Sequence, residues 1–185
     1  LLDSCCNKLY LTSFVKESGV LMPYGEYFED TYFNLMLWNK FSKCAVFDDC
    51  YYHYLQRKES SLTKSFKYGK LKTLKERVSL MFSVTKGLES FLYYYYVKYV
   101  LSFLCDSFLS SANITPKERH TLIKEEINCP KFKNAAKKAK AITKSGRVLI
   151  FFARSSFYSL IYLFLKLSCF VKYNLKNFYF KVTGV

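Results

Sequence analysis

Two adjacent carboxylates, Glu29 and Asp30, stand where a turn-like stretch gives way to a helical apolar pattern. A carboxylate at a helix entrance, beside a loop that opens toward a ligand, is well placed to act as a general base. Asp30 also has a simpler interpretation, because an aspartate at this position caps unpaired N–H groups and interacts favourably with the helix dipole. Local sequence alone favours the cap, so the neighbouring residues must decide between the two roles.

Several short elements must position this pair. Residues 7–18 are consistent with a short helix or an irregular segment, and residues 20–28 look extended. Apolar spacing in residues 30–41 predicts a helix packed against a core. The apolar runs at 44–47 and 50–55 predict two short strands, with a polar loop after them.

Charge divides the chain into two regions. Residues 1–63 carry six Lys or Arg and eight Asp or Glu, a net charge of −2. Since the whole chain carries +15, residues 64–185 carry +17. We therefore expect two regions with different roles, residues 1–65 and residues 66–185. A positive surface attracts nucleic acid or anionic lipid, and composition does not choose between them.

The second region has helical patterns throughout. Residues 71–84 and 88–109 have helical apolar spacing, and the second of these segments is very aromatic. The sequence Thr115-Pro116-Lys117-Glu118 is a capping box with proline at the first helical position, so it predicts a helix over about three turns.

An apolar segment at residues 148–171 is the candidate for membrane contact. The eleven residues between its charged positions Arg154 and Lys166 are too few for a span, which needs about 20 mostly apolar residues. An in-plane helix drawn to anionic headgroups and a core helix of the C-terminal region are both consistent with the segment.

Cysteines and the chain's start bound the setting. Seven cysteines are present and none forms a Cys-x-x-Cys pair, which favours reduced, mostly buried thiols in a cytosolic setting over a zinc site or disulfides. The chain starts with Leu1 and has no signal-peptide pattern, so we expect it to begin inside a longer protein.

Three stretches, taken in order, resemble the second half of a family 2 glycosyltransferase. They are Asn-Lys-Leu-Tyr at 7–10, Phe-Glu-Asp-Thr at 28–31, and Tyr-His-Tyr-Leu-Gln-Arg-Lys-Glu-Ser at 52–60. Members of that family often carry such a segment, then a Glu-Asp pair opening a helix, then a Tyr-x-Tyr-x-x-Arg-x-x-Ser run. The resemblance covers about residues 5–65, roughly a third of the chain.

The resemblance implies a fold and a reaction. The fold is α+β and helix-rich, with residues 1–65 as the acceptor-side half of a GT-A fold (short strands plus a helix) and residues 66–185 as a basic, aromatic-rich helical region. The reaction is sugar transfer with inversion, in which Asp30 removes the proton of the acceptor hydroxyl. Glu29 would orient the loop or bind acceptor hydroxyls, unless it is simply a solvated carboxylate.

Further residues acquire roles only through the resemblance. Arg57 would pair with the donor diphosphate and Ser60 would add a hydroxyl contact, and a surface loop is the simpler interpretation of both. Lys8, with Asn7 beside it, would contact substrate or pair with a carboxylate. His53 is a weak metal candidate that we expect to be a packed side chain.

The family's first half is missing from the sequence. Its Asp-x-Asp motif, which holds a divalent ion such as Mg²⁺ or Mn²⁺, does not occur in this chain, and Asp48-Asp49 follows the Glu-Asp pair instead of preceding it. We therefore expect a C-terminal piece of such an enzyme, or the product of a truncated reading frame, inactive alone.

The partners expected of the complete enzyme follow from the same resemblance. They are a nucleotide-sugar donor and a saccharide or lipid-linked acceptor in cell-surface polysaccharide synthesis. We expect a cytoplasmic location, with peripheral attachment to an anionic surface on the inner face of the cell membrane. The alternative is a non-enzymatic basic helical module that binds membrane or, less in keeping with its apolar aromatic runs, nucleic acid through a lysine cluster: Lys131, Lys133, Lys137, Lys138, Lys140 and Lys144.

Overall fold

The structure is a computed structural model that describes residues 4–24, 27–47, 49, 51–53, 66–141 and 143–175. Within these residues the chain forms eight α-helices and one 3₁₀ turn at Ser110–Ala112. The helices are α1 (Thr12–Ser18), α2 (Glu29–Trp38), α3 (Tyr68–Val84), α4 (Glu89–Asp106), α5 (Pro116–Asn128), α6 (Pro130–Lys138), α7 (Lys144–Arg154) and α8 (Tyr158–Asn174).

The predicted α+β fold class is wrong, because the described residues are helical and contain no strand. A strand forms only where a neighbouring strand pairs with its N–H and C=O groups, and usually where a core covers one face. Residues 44–47 and 51–53 are instead irregular and exposed, with Val46 65% and Phe47 71% accessible. Residues 50, 54 and 55 of the second predicted strand lie outside the described residues.

Helix α4 is the centre of the core. It packs against α3, α5, α6, α7 and α8. Leu92, Val97, Val100 and Leu104 of this helix are completely buried. A helix that is apolar on nearly every side is stable in water only when other helices surround it, which explains the aromatic-rich pattern of residues 88–109.

The N-terminal helix α2 joins the same core. Leu35 is fully buried in it, and Thr31 accepts a hydrogen bond from the hydroxyl of Tyr95 on α4 at 3.1 Å. The side-chain amide of Asn39, just after α2, donates to the carbonyl of Val84 at the end of α3 at 2.6 Å. These contacts fix the start and the end of α2 relative to the helical region.

The capping box and the helices predicted from apolar spacing are confirmed. Thr115 Oγ1 accepts from the backbone N–H of Glu118 at 3.2 Å, and Glu118 Oε2 accepts from the N–H of Thr115 at 2.8 Å. The segment 148–171 is two helices rather than one, because α7 ends at Arg154 and α8 begins at Tyr158. In the turn between them, Ser155 Oγ accepts from the N–H of Phe157 at 3.1 Å.

A buried aspartate ties three helices together. Asp106, at the end of α4, is fully buried. Its carboxylate pairs with Lys172 Nζ of α8 at 2.9 Å and with Lys70 Nζ of α3 at 3.5 Å, and it accepts from the hydroxyl of Tyr173 at 2.8 Å. A buried charge is tolerated only with such partners, so the cluster fixes how α3, α4 and α8 meet.

Among the described residues, no helix is both long and apolar enough to cross a membrane.

The described cysteines are free thiols, of which Cys105 and Cys169 are buried and Cys44 is exposed. The expectation of mostly buried thiols is therefore only partly met.

Candidate active site

Helix α2 presents the Glu29-Asp30 pair in its first turn. Phe28 holds the cap position with a left-handed backbone (φ 64°), and no described side chain caps the helix. The ring of Phe28 packs edge-on against the rings of Tyr95 and Tyr99, with centroids 6.2 and 5.1 Å away. This contact with α4 holds the entrance of α2 in place even though the backbone is unusual for a bulky residue.

Asp30 does not cap its own helix but binds the segment that precedes α1. Its Oδ2 accepts from the backbone N–H of Cys5 at 3.1 Å and from the hydroxyl of Ser4 at 3.4 Å. The carboxylate is only partly buried. Two donors on one oxygen orient the group, and we find no hydrogen bond to the other oxygen from the described residues.

Asn34, one helical turn after Asp30, binds the same segment. Its Oδ1 accepts from the hydroxyl of Tyr10 at 2.5 Å, and its Nδ2 donates to the carbonyl of Ser4 at 3.0 Å. Residues four apart lie on one face of a helix, so Asp30 and Asn34 together form a polar face against residues 4–10. Asn34 is buried, and these bonds satisfy its amide.

Asn7 and Lys8 lie in the segment held by this face. Lys8 Nζ donates to the carbonyl of Ser4 and lies 3.4 Å from Asn7 Oδ1. The charge of Asp30 raises the pKa of the Cys5 thiol and the charge of Lys8 lowers it. The structure therefore brings three of the predicted site residues, Asn7, Lys8 and Asp30, to one place at the entrance of α2.

Two buried polar atoms at this entrance have no hydrogen-bond partner among the described residues. They are Oε2 of Glu29 and the hydroxyl oxygen of Tyr27. A buried oxygen without a partner costs free energy, and such groups often mark where a ligand or water binds. Glu29 thus differs from the simple solvated carboxylate that the sequence allowed.

The titratable groups around Asp30 reflect this packing. Burial raises the pKa of Cys5 despite the opposing effect of the Tyr10 side chain, and the nearby Asp30 charge raises it further. Burial also raises the pKa of Tyr10, as does its interaction with Cys5. The pKa of Cys6 is lowered, chiefly by hydrogen bonds with the side chains of Ser4 and Tyr52. The contact with Tyr52 brings the start of the third motif near the first two.

Of the remaining predicted residues, the structure describes only His53. His53 is exposed, so the expectation that it is packed is wrong. Arg57 and Ser60 lie outside the described residues. The described part of the chain contains no group of three His, Cys, Asp or Glu side chains that would hold a metal ion.

Sequence reasoning missed Asn34, Ser4 and Cys5. The signal for Asn34 was a polar residue four positions after Asp30 inside an apolar helix, which places it on the face of the carboxylate. Ser4 and Cys5 act partly through backbone atoms, and no side-chain pattern reveals such contacts.

Comparisons of the chain with models of known protein families, with curated proteins and with solved structures found no match.

Proposed function

We propose that this chain is the acceptor-side part of an inverting glycosyltransferase, with Asp30 as the catalytic base. The donor is a nucleotide sugar and the acceptor a saccharide or lipid-linked saccharide of cell-surface polysaccharide synthesis. The observation that supports the proposal is the meeting of two separate motifs, since residues 7–10 lie against the helix that opens with Glu29 and Asp30. This is the arrangement that an acceptor site assembled from both motifs requires.

The proposed reaction needs one catalytic group from this half of the enzyme, the carboxylate of Asp30. One oxygen of Asp30 takes the proton of the acceptor hydroxyl while that oxygen attacks the anomeric carbon from the face opposite the nucleotide. The bond to the nucleoside diphosphate breaks in the same displacement, so the anomeric configuration inverts. A carboxylate whose second oxygen is held by Cys5 and Ser4 is already oriented for this transfer.

Glu29 acts on binding rather than on proton transfer. Its Oε2, which has no partner among the described residues, is an acceptor for a sugar hydroxyl of the incoming saccharide. Forming that hydrogen bond relieves the cost of burying the oxygen without one.

A nucleotide-binding half must accompany this chain for turnover. The N-terminal residues expose large apolar side chains, with Leu9, Leu11 and Leu21 each more than 70% accessible. A second half of the catalytic domain would cover such a surface. The chain alone is proposed to be inactive for this reason.

Nucleic-acid binding is the weaker alternative. Stacking on bases needs accessible aromatic rings beside the cations. Near the lysine cluster, Tyr96 is buried, while Lys131 and Lys138 lie over the rings of Tyr96 and Tyr93 at 5.6 and 5.3 Å. The rings next to the cluster are thus already occupied.

The test is a transfer assay on the complete enzyme that contains this chain. Release of nucleoside diphosphate is measured with a panel of nucleotide sugars in a membrane extract that supplies acceptors. Asp30→Asn is expected to lower kcat about a thousandfold, because a positioned base contributes roughly 10²–10⁴. Donor binding, measured by calorimetry, stays unchanged.

Asp49→Asn is the matched control. Asp49 is exposed and accepts only from the nearby Tyr51 hydroxyl at 2.9 Å among the described contacts, so the control enzyme keeps its activity. Full activity of Asp30→Asn, or equal loss in both variants, would refute the assignment of the base.

A further inference from the structure

Helices α7 and α8 each have one face in the core and an opposite apolar face that is exposed. Ile150 of α7 and Ile161 and Leu165 of α8 are buried. On the other side lie six large side chains that are 37–75% accessible. We call them the outer apolar face: Phe151, Phe157, Leu160, Leu163, Leu167 and Phe170.

These six residues form one continuous surface. Leu160, Leu163, Leu167 and Phe170 follow each other at three- and four-residue spacing, which places them in one stripe along α8. Phe151 of α7, Phe157 of the connecting turn and Leu160 line a common groove of about 720 Å³. The stripe therefore continues through the groove onto α7.

Cations border this surface. The sequence contains twelve Lys or Arg and no Asp or Glu after Glu126. Lys140, Arg147 and Arg154 line the same groove as the apolar residues, and Lys166 is exposed on α8.

Arg154 is held in position at the groove by the helix beside it. Its guanidinium donates to the carbonyls of Ala136, Lys137 and Ala139 at 2.8–3.1 Å. The cationic side of the groove is thus a fixed part of the fold.

We propose that the outer apolar face docks on an anionic lipid bilayer, with α7 and α8 lying in the interface. The leucine and phenylalanine side chains enter the boundary between headgroups and acyl chains, and the surrounding cations pair with lipid phosphates. A second copy of this chain is a poor occupant, because joining two such faces brings like charges together. A nucleic acid matches the cations but gains nothing from the exposed leucines. The proposal does not depend on the role of Asp30.

Flotation of the full chain with lipid vesicles tests the proposal. We expect the chain to bind vesicles of equal parts phosphatidylcholine and phosphatidylglycerol, and we expect this binding to weaken with added salt. Binding to phosphatidylcholine alone should be at least tenfold weaker, because each cation that lacks an anionic lipid partner lowers the affinity about fivefold. Equal binding to both vesicles, or none to either, overturns the proposal.

Two pairs of variants separate apolar insertion from charge attraction. Leu163→Ala with Leu167→Ala should weaken binding roughly thirtyfold, whereas Leu21→Ala with Leu80→Ala, which are exposed elsewhere, should leave it unchanged. The double variant Arg147→Gln with Lys166→Gln should weaken vesicle binding about 25-fold. The control double variant, Lys72→Gln with Lys117→Gln, should weaken binding less than twofold. All substituted residues are exposed, and circular dichroism checks that each variant is folded.

A fluorescence reporter gives a reading of insertion that does not depend on affinity. Trp38 is the single tryptophan, so Phe151→Trp in a Trp38→Phe background places one indole on the face. Its emission should shift to the blue with anionic vesicles. No shift despite flotation, a dimer in sedimentation that the leucine pair abolishes, or tighter binding to duplex DNA than to vesicles would each overturn the proposal.

Discussion

Different interactions stabilise the N-terminal region, residues 4–53, and the helical region, residues 66–175. In the helical region, apolar side chains from six helices fill one core around α4. In the N-terminal region, the buried apolar side chains among the described residues are Val20, Leu35 and Leu37. Its irregular first segment is fixed by the polar side chains of Asp30 and Asn34 instead.

Two aspartates show what this difference means. Asp106 is fully buried between two lysines and a tyrosine, and it has a structural role. Asp30 is partly exposed and is held on one oxygen only by the described residues, and the preceding residue, Glu29, has a buried carboxylate oxygen without a partner among those residues. A carboxylate is available for chemistry where the fold leaves it incompletely paired. Asp106 is buried among its partners in the core, so its carboxylate is not available in this way.

The largest expected effect breaks the buried cluster. Asp106→Asn removes the charge that pairs with the amines of Lys70 and Lys172, and removing one member of a buried pair costs about 3–5 kcal/mol. Burial works against the charge of both amines: it lowers the pKa of Lys70, whereas at Lys172 the nearby Asp106 and Tyr173 outweigh it and raise the pKa. Urea unfolding followed by circular dichroism measures the loss.

Asp30→Asn is the control for Asp106→Asn. It weakens two hydrogen bonds at a partly exposed site, so the free energy of unfolding should fall by about 1 kcal/mol. If the two variants lose equal stability, the distinction between a structural and an available aspartate is wrong.

A smaller effect compares apolar residues in the two regions. Leu74→Ala removes a side chain that is 1% accessible and leaves a cavity beside α4, which should cost about 3 kcal/mol. Leu21→Ala changes a side chain that is 81% accessible and should stay within about 0.5 kcal/mol. A matching loss in both would mean that Leu21 is packed in solution, and the contrast between the regions would disappear.

The sequence predicted three helices of the helical region correctly, because their signals are local. Apolar periodicity located α3 and α4, and the Thr115 and Glu118 pattern located the start of α5. Each signal lies within the helix it predicts.

The strand prediction failed for the opposite reason. A run such as residues 44–47 is apolar in either state, and only a distant partner makes it a strand. Its location in an exposed stretch was not readable from the run itself.

About half of the candidate site could be predicted from the sequence. The Glu29-Asp30 pair stands out at a helix start, and the resemblance linked it to Asn7 and Lys8. The contacts that join them are made by Ser4, Cys5 and Asn34 across about 25 residues, and partly through backbone groups. Such long-range pairing depends on how residues 4–10 fold against α2, which local pattern does not specify.

The smallest expected effect concerns Glu118, a carboxylate that takes part in capping its own helix. Hydrogen bonds from the Thr115 side chain and backbone lower the pKa of Glu118. A group whose pKa is lower in the folded state stabilises the protein above its unfolded pKa, and this contribution is lost as the pH falls through the folded value. Glu118→Gln should therefore be less stable than the wild type at about pH 6, and the difference should shrink toward about pH 3. Glu125→Gln on the same helix controls for the loss of one exposed carboxylate. Thermal unfolding of the three proteins across this range measures the difference, and a gap between wild type and Glu118→Gln that stays constant with pH would contradict the capping role of the charge.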